Sequence, residues 1–436
     1  MSKMKIGIIV IVVLALVGTG IYMFSDQEDS FTEMSTFDKF EASLSKLREV
    51  KEADMMVSFN IDIDTSDPSM TRMADILQQV DFNYSIKQNI NNIENPLIEG
   101  LLSLNYQQEP AFNLGFYMDA EKMILSSSDL ISQAFYMNFE DYERYMNDLI
   151  ASYGEDQQMP AISMDIQEIM KQSMEFQKDF YSLEGIEGAE NFDGEKYRSM
   201  LEVGLEGLLF EIESFDVEIL DNDQQKTVKS SGMQLDFNET QLIDLMLPML
   251  EEAKTDDALK NIIIAKAEQY MTFVNTLYSI DYEAMGVEDP YAEIYEGIDD
   301  LDENYDIRID EIIKALNDFK EINTGKGFSV SNKIGLDDSG MIIFWDMAIL
   351  VNLESVNPSV DTVTIKTQSV TNSYNKSLNF TDYSNVAEEG IDLVSLFENP
   401  DATETQMVLM QLYGSVMQKM SLNPLFRDIM AETGVY

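Results

Sequence analysis

The stretch that comes nearest to a chemical site is Asp300-Leu301-Asp302-Glu303-Asn304-Tyr305-Asp306-Ile307, continued to Glu311. Oxygen-bearing side chains fall at positions 1, 3, 5 and 12 of a twelve-residue loop and Ile307 falls at position 8, the spacing of an EF-hand calcium loop. Two positions depart from it. Tyr305 stands where the sharp turn calls for glycine, and Arg308 takes a place that normally helps ligation. The same acids suit the solvated face of a helix or turn, so a calcium-stabilised surface module is an alternative reading and no metal site is assigned.

The other chemical patterns are weaker. Met70/Met73, Met246/Met249, Met407/Met410 and Met417/Met420 repeat a spacing that soft Cu(I) sites use, but on a helix it is also one face of a core. Ser43-x-x-Lys46 and Ser373-x-x-Lys376 match a Ser/Lys nucleophile tetrapeptide without its partner motifs. Carboxylates are everywhere, and no pair is singled out for acid–base work. With no histidine and no cysteine in 436 residues, Ser-His-Asp and Cys-His arrangements and all His or Cys metal sites are excluded. No Walker A or dinucleotide-binding glycine pattern occurs. The chain reads as non-enzymatic and without cofactor.

Charge excludes further classes. The 28 Lys and Arg against 80 Asp and Glu give a net charge of −52, which repels phosphate backbones and speaks against nucleic acid. A basic protein partner would be attracted. No disulfide frame is available, so packing alone must hold the fold.

Behind these residues stand the elements that must place them. Ile6 to Phe24 is an unbroken apolar run with Lys3 and Lys5 before it and Asp26, Glu28 and Asp29 after it. About nineteen residues at about 1.5 Å each approach the thickness of a bilayer core. The expectation is a single-pass transmembrane anchor over 1–25, with the N-terminus cytoplasmic and the body extracytoplasmic at the cell membrane; a cleavable signal peptide competes. Residues 36–155 read as an antiparallel sheet with helices. Met55, Val57, Phe59, Ile61 and Ile63 alternate with polar residues, as do Val80, Phe82, Tyr84 and Ile86, then 97–106, then Phe112, Leu114, Phe116 and Met118. Phe135, Phe139, Tyr142 and Met146 read as a closing helix.

Residues 160–325 read as helix-rich, interrupted by one hairpin of Phe215, Val217 and Ile219 against Met233, Leu235 and Phe237, with Pro248 kinking or ending its helix. Residues 326–400 read as a second antiparallel sheet that includes Trp345 and strands at Val363 and Ile365 and at Leu378 and Phe380. Residues 401–436 carry a helix, Thr403 to Met420, apolar almost all round: buried, or else facing a membrane surface or a partner. The fold class is α+β: a transmembrane helix, then antiparallel curved sheets packed with helices, with a helix-rich middle.

The layout over 50–153, and more faintly over 326–385, resembles the half-barrel of the LolA and LppX-like envelope proteins. Gly115, Phe116, Tyr117, Met118 and Asp119, with Lys122 to Leu125 after them, are similar to an aromatic, aspartate, lysine hairpin of that group. The resemblance implies a hydrophobic cavity for a lipid or acyl chain, lined here by Phe59, Phe82, Tyr84, Phe112, Phe116 and Trp345. This chain departs from the family in its large helical middle and in having no lipid-bearing cysteine. Free ferrying of lipid is therefore not implied; a tethered module binding an apolar ligand is. The alternative is a structural or interaction protein of the envelope using its acidic surface.

Overall fold

The computed structural model describes residues 31–127, 129, 131–157, 166–180, 182–221, 224–278, 292–322, 327–353 and 359–433. The strands are β1 (Glu52–Asp64), β2 (Val80–Asn89), β3 (Leu97–Tyr106), β4 (Glu109–Met118), β5 (Lys122–Ser127), β6 (Ile131–Asn138), β7 (Leu209–Asp221), β8 (Gln224–Asn238), β9 (Phe328–Leu336), β10 (Ile342–Asn352), β11 (Thr362–Tyr374) and β12 (Ile391–Asp392). The helices are α1 (Thr36–Glu49), α2 (Pro68–Gln78), α3 (Phe139–Gln157), α4 (Ile166–Phe180), α5 (Gly194–Leu205), α6 (Glu239–Ala253), α7 (Asp257–Tyr278), α8 (Ala292–Glu303), α9 (Tyr305–Ile322), α10 (Val386–Glu389), α11 (Leu393–Glu398), α12 (Thr403–Leu422) and α13 (Pro424–Thr433). Two compact units emerge, each assembled from separated stretches: 1–45, 146–210 and 237–326 form one, and 46–145, 211–236 and 327–436 the other.

The second unit is built on a single sheet of twelve strands in the order β12-β6-β5-β4-β3-β2-β1-β11-β10-β9-β8-β7. The expected pair of sheets is therefore corrected to one. β1 pairs with β11 along nearly its whole length, from Ala53 opposite Tyr374 to Asp64 opposite Thr362. That joint welds the early meander to the late one. All pairings with a described register are antiparallel except β12 with β6, so the sheet is mixed.

Local chemistry explains most of the elements. α2 begins where Asp67 accepts from the Ser69 N–H at 2.9 Å and Pro68 takes the first helical position, which needs no donor. α6 opens on a capping box between Asn238 and Gln241 and runs through Pro248 to Ala253. Packing of Met249 and Leu250 into the core carries the helix past the proline, so of the expected kink or end the end is corrected. Phe135 lies in β6 and only Phe139 starts the helix, because pairing of Leu125 with Phe135 claims the aromatic for the sheet. Leu378 and Phe380 lie outside any strand, and Phe380 packs against Tyr117 and Ile124.

The transmembrane helix is also corrected. Among the described residues no helix is long and apolar enough to cross a membrane. α7 has the length, at 22 residues, but carries Asp257, Lys260, Lys266 and Glu268; α12, with 20, is diluted by Lys419 and by Gln, Ser and Thr. Residues 6–24, on which that expectation falls, lie outside the described residues. The membrane-anchored, single-pass description is withdrawn with it, leaving an α+β fold.

The helical unit has the deepest core. Leu259, Ile262 and Ile263 of α7, Leu250 and Ala253 of α6, Ile309 of α9 and Tyr197 of α5 are all but completely buried in one cluster. Their three- and four-residue spacing puts each helix's apolar stripe inward.

Candidate functional site

Two places answer the expectation of an apolar site. The first is the sheet face that carries the six expected aromatics. Opposed residues of an antiparallel pair project to the same side. Thr367, Phe59, Phe82, Leu104 and Phe112 stand in one row across β11, β1, β2, β3 and β4. The next row is Trp345, Ser369, Val57, Tyr84, Leu102 and Leu114, and the next after that holds Ile86, Gly100 and Phe116. Phe59, Phe82, Tyr84, Phe112, Phe116 and Trp345 therefore share one face, and all are half-buried.

On that face the rings pack against one another. Phe59 and Phe82 lie 6.1 Å apart and tilted, and Tyr84 stacks on Phe116 at 5.9 Å. The Phe116 ring lies where a Cβ on Gly100 would stand. Phe82 and Leu104 join the buried Ile76, Val80, Tyr106, Ala111 and Leu425, so α2 and α13 cover this end. Trp345 is oriented by its indole N–H, which donates to Asn332 Oδ1 at 3.0 Å.

The second place, in the helical unit, is a cleft of about 600 Å³ between α4, α7 and the turn around Gly185. Gln172, Phe176 and Phe180 recur every four residues on one side of α4. Ala265, Glu268, Gln269, Thr272 and Phe273 line it from α7, and Gly185, Ile186 and Glu187 line it from the turn. Phe176 is the hub. Its ring is 4.2 Å from that of Phe273 and within 6° of parallel, 5.1 Å from Phe180 and 6.3 Å from Tyr270. Gly185 has φ +82, a left-handed turn that a side chain would strain.

A cation lies just behind this wall. Lys266 is only 5% exposed; its ammonium donates to the Ser182 carbonyl at 2.5 Å and to Gln269 Oε1 at 2.9 Å, and sits 5.6 Å from the Phe180 ring. Gln269 thus links a buried charge to the cleft surface. An aromatic wall bordered by Gln172, Glu187, Glu268, Gln269 and Thr272, at this volume, suits a small molecule.

The remaining sequence motifs resolve into structure. Asp300 and Glu311 belong to α8 and α9, not to a loop, and Arg308 spans them, Nε to Asp300 at 2.6 Å and Nη1 to Glu311 at 3.0 Å. The Arg308 hydrogen bond holds the Asp300 carboxyl below its ordinary value. Tyr305, in the place of the loop glycine, is buried in the helical core. Among the described residues no three acidic side chains gather to hold a metal ion. Ser43 donates to the Lys39 carbonyl at 2.6 Å, and the Lys46 ammonium goes to the Ser339 carbonyl. Met249 is core, whereas Met407 and Met410 are exposed.

Phe176, Phe180 and Phe273 escaped the sequence reading. The signal was there, as Phe176 and Phe180 one turn apart and Phe273 three residues beyond Tyr270, but only tertiary packing sets one pair against the other. Comparison of the chain with protein-family models, with curated proteins and with solved structures finds no match.

Proposed function

We propose that this chain is a non-enzymatic binding module for an apolar or lipid-like small molecule, held in the cleft of the helical unit. The observation that carries the reading is the Phe176–Phe273 stack forming one wall of a cleft of about 600 Å³. Gln172, Gln269 and Thr272, with Glu187 and Glu268 beside them, supply polar contacts that orient a ligand, and Lys266 holds Gln269 in place from behind. The want of histidine and cysteine supports binding without catalysis. Kinship with LolA and LppX-like proteins is part of this proposal, supported by the consecutive antiparallel strands β1 to β6 with helices over one end.

The test is titration of the full chain with N-phenyl-1-naphthylamine, an uncharged aromatic reporter that brightens in apolar surroundings. Saturable binding is expected, weakened about tenfold by Phe273→Ala, in keeping with loss of about 1.4 kcal/mol of apolar and stacking contact. Equal binding by parent and variant, with Phe82→Ala on the sheet weakening it instead, would move the site to the sheet face. No saturable binding would defeat the reading.

A further inference from the structure

Helix α12 leaves large apolar side chains exposed, with Gln406, Gln411 and Gln418 among them. Met410 is 72% exposed, Leu422 70% and Tyr413 68%, and Met407, Leu409 and Met417 are also exposed. At 100° per residue these side chains cover one broad face, while Thr405, Val408, Leu412, Val416 and Lys419 fall on the other. The inward side is fastened by polar groups: Thr405 is buried, Lys419 pairs with Asp129 at 2.8 Å, and the buried Asn423 donates to the Ala111 carbonyl at 2.9 Å. The helix is thus pinned by the side that carries its hydrogen bonds. Among the described residues nothing lies within 4 Å of where a Cβ on Gly414 would stand, which leaves a dip between Met410 and Met417.

Charge selects the occupant. From Val386 to Tyr436 the acidic residues are Glu388, Glu389, Asp392, Glu398, Asp401, Glu404, Asp428 and Glu432, against only Lys419 and Arg427. A second copy would bring −52 against −52, and an anionic membrane is repelled in the same way. An apolar stripe flanked by lysines or arginines meets both features at once. Unbranched methionines repack around whatever side chains arrive.

We propose that α12 is a docking face for a cationic amphipathic helix of a partner protein. The dip at Gly414 takes one bulky apolar side chain of that helix, and its basic flank is drawn by the acidic excess of residues 386–436. The ligand cleft in the other unit plays no part in this binding.

The experiment uses the full chain and a fluorescent leucine–lysine peptide of about eighteen residues, about 27 Å as a helix, followed by anisotropy. Saturable binding is expected, with at least tenfold weakening by Met410→Glu together with Met417→Glu and little change with Met410→Leu. The glutamates add negative charge, so a purely electrostatic association would tighten; weakening therefore reports the apolar contact. Both side chains are exposed, and matched melting curves confirm that the variant folds. Undiminished binding by the double variant, equal binding of a leucine–glutamate peptide, or no binding of the leucine–lysine peptide would each overturn the proposal. So would sedimentation showing a dimer that the double variant splits, or co-pelleting with phosphatidylcholine vesicles that it abolishes.

Discussion

Phe176 and Phe273 lie face to face, their centroids 4.2 Å apart and their planes within 6°. The pair ties α4 to α7 and forms the wall of the cleft at once, so its stability and its binding are coupled. Phe176→Leu keeps most of the apolar area and loses the stack. We expect a cost of about 0.5–1.5 kcal/mol in urea unfolding and weaker reporter binding in the same variant. A change in neither would separate the stack from both roles.

Gly100 is a place on the sheet face where a side chain cannot go. A Cβ there would stand 2.1 Å from Phe116 Cε1 and 2.9 Å from the Ser85 carbonyl oxygen, and the backbone oxygen cannot swing away. Gly100→Val is expected to destabilise by about 1–3 kcal/mol. Adding Phe116→Ala should recover part of the loss, read as a non-zero coupling in a double-mutant cycle.

Arg198 of α5 holds two carboxylates of α1, Glu41 through Nε at 3.0 Å and Asp38 through Nη2, and its guanidinium lies over Phe37. Burial pushes the Glu41 carboxyl up despite the arginine, while at Asp38 the hydrogen bonds from Ser35 and Arg198 overcome burial and hold it down. Removing the arginine strands the buried Glu41. Arg198→Ala is expected to cost about 3 kcal/mol, and Glu41→Gln in that background should restore part of it.

Two buried tyrosines of the helical core give opposite expectations. Tyr197 donates to Asp256 at 2.9 Å, and burial followed by that carboxylate pushes its hydroxyl well above the ordinary range. Tyr305 is also raised by burial, but its hydroxyl has no hydrogen-bond partner among the described residues. Tyr197→Phe should cost about 1 kcal/mol, whereas Tyr305→Phe should be neutral or stabilising. Melting temperatures of the two variants decide it.

Tyr374 of β11 donates to Asp337 Oδ2 at 2.5 Å, beside bonds to that carboxyl from Ser339 and the Met341 N–H. Burial alone would raise the Asp337 carboxyl, yet these donors hold it below its ordinary value. Stability from a depressed carboxyl is present above its unfolded value, about 3.9, and is lost as pH falls through the folded one. Tyr374 is raised by burial and by Asp337, so stability also declines as pH rises past about 10, where only the unfolded phenol ionises. Asp337→Asn should flatten the acid limb of the stability–pH curve; an unchanged limb would place the titration elsewhere.

Much of this was legible in the residues themselves. Period-two alternation marked β1, β2, β4, β7 and β8 because one face of each strand is wetter than the other, and the order of polar and apolar residues records that difference. Alternation also placed Phe59, Phe82, Tyr84, Phe112 and Phe116 on one face. It failed at Phe135, where four aromatic or methionine residues at helical spacing straddle a strand and a helix. The turn between β3 and β4 carries little signal of its own. There Gln107 and Gln108 take φ of 55 and 68 without the glycine or asparagine that usually announces such a turn.

The sequence by itself determined that chemistry needing a histidine or cysteine side chain is closed to this chain and that polyanions are repelled by its net charge, since the absence of histidine and cysteine and a net charge of −52 hold in any fold. Only the tertiary structure decided that β1 meets β11 across some three hundred residues, that Arg308 fills the space between Asp300 and Glu311, and that Phe176 finds Phe273. Backbone pairing and ring stacking depend on which surfaces are brought together, and local residue order carries no term for contacts so distant along the chain.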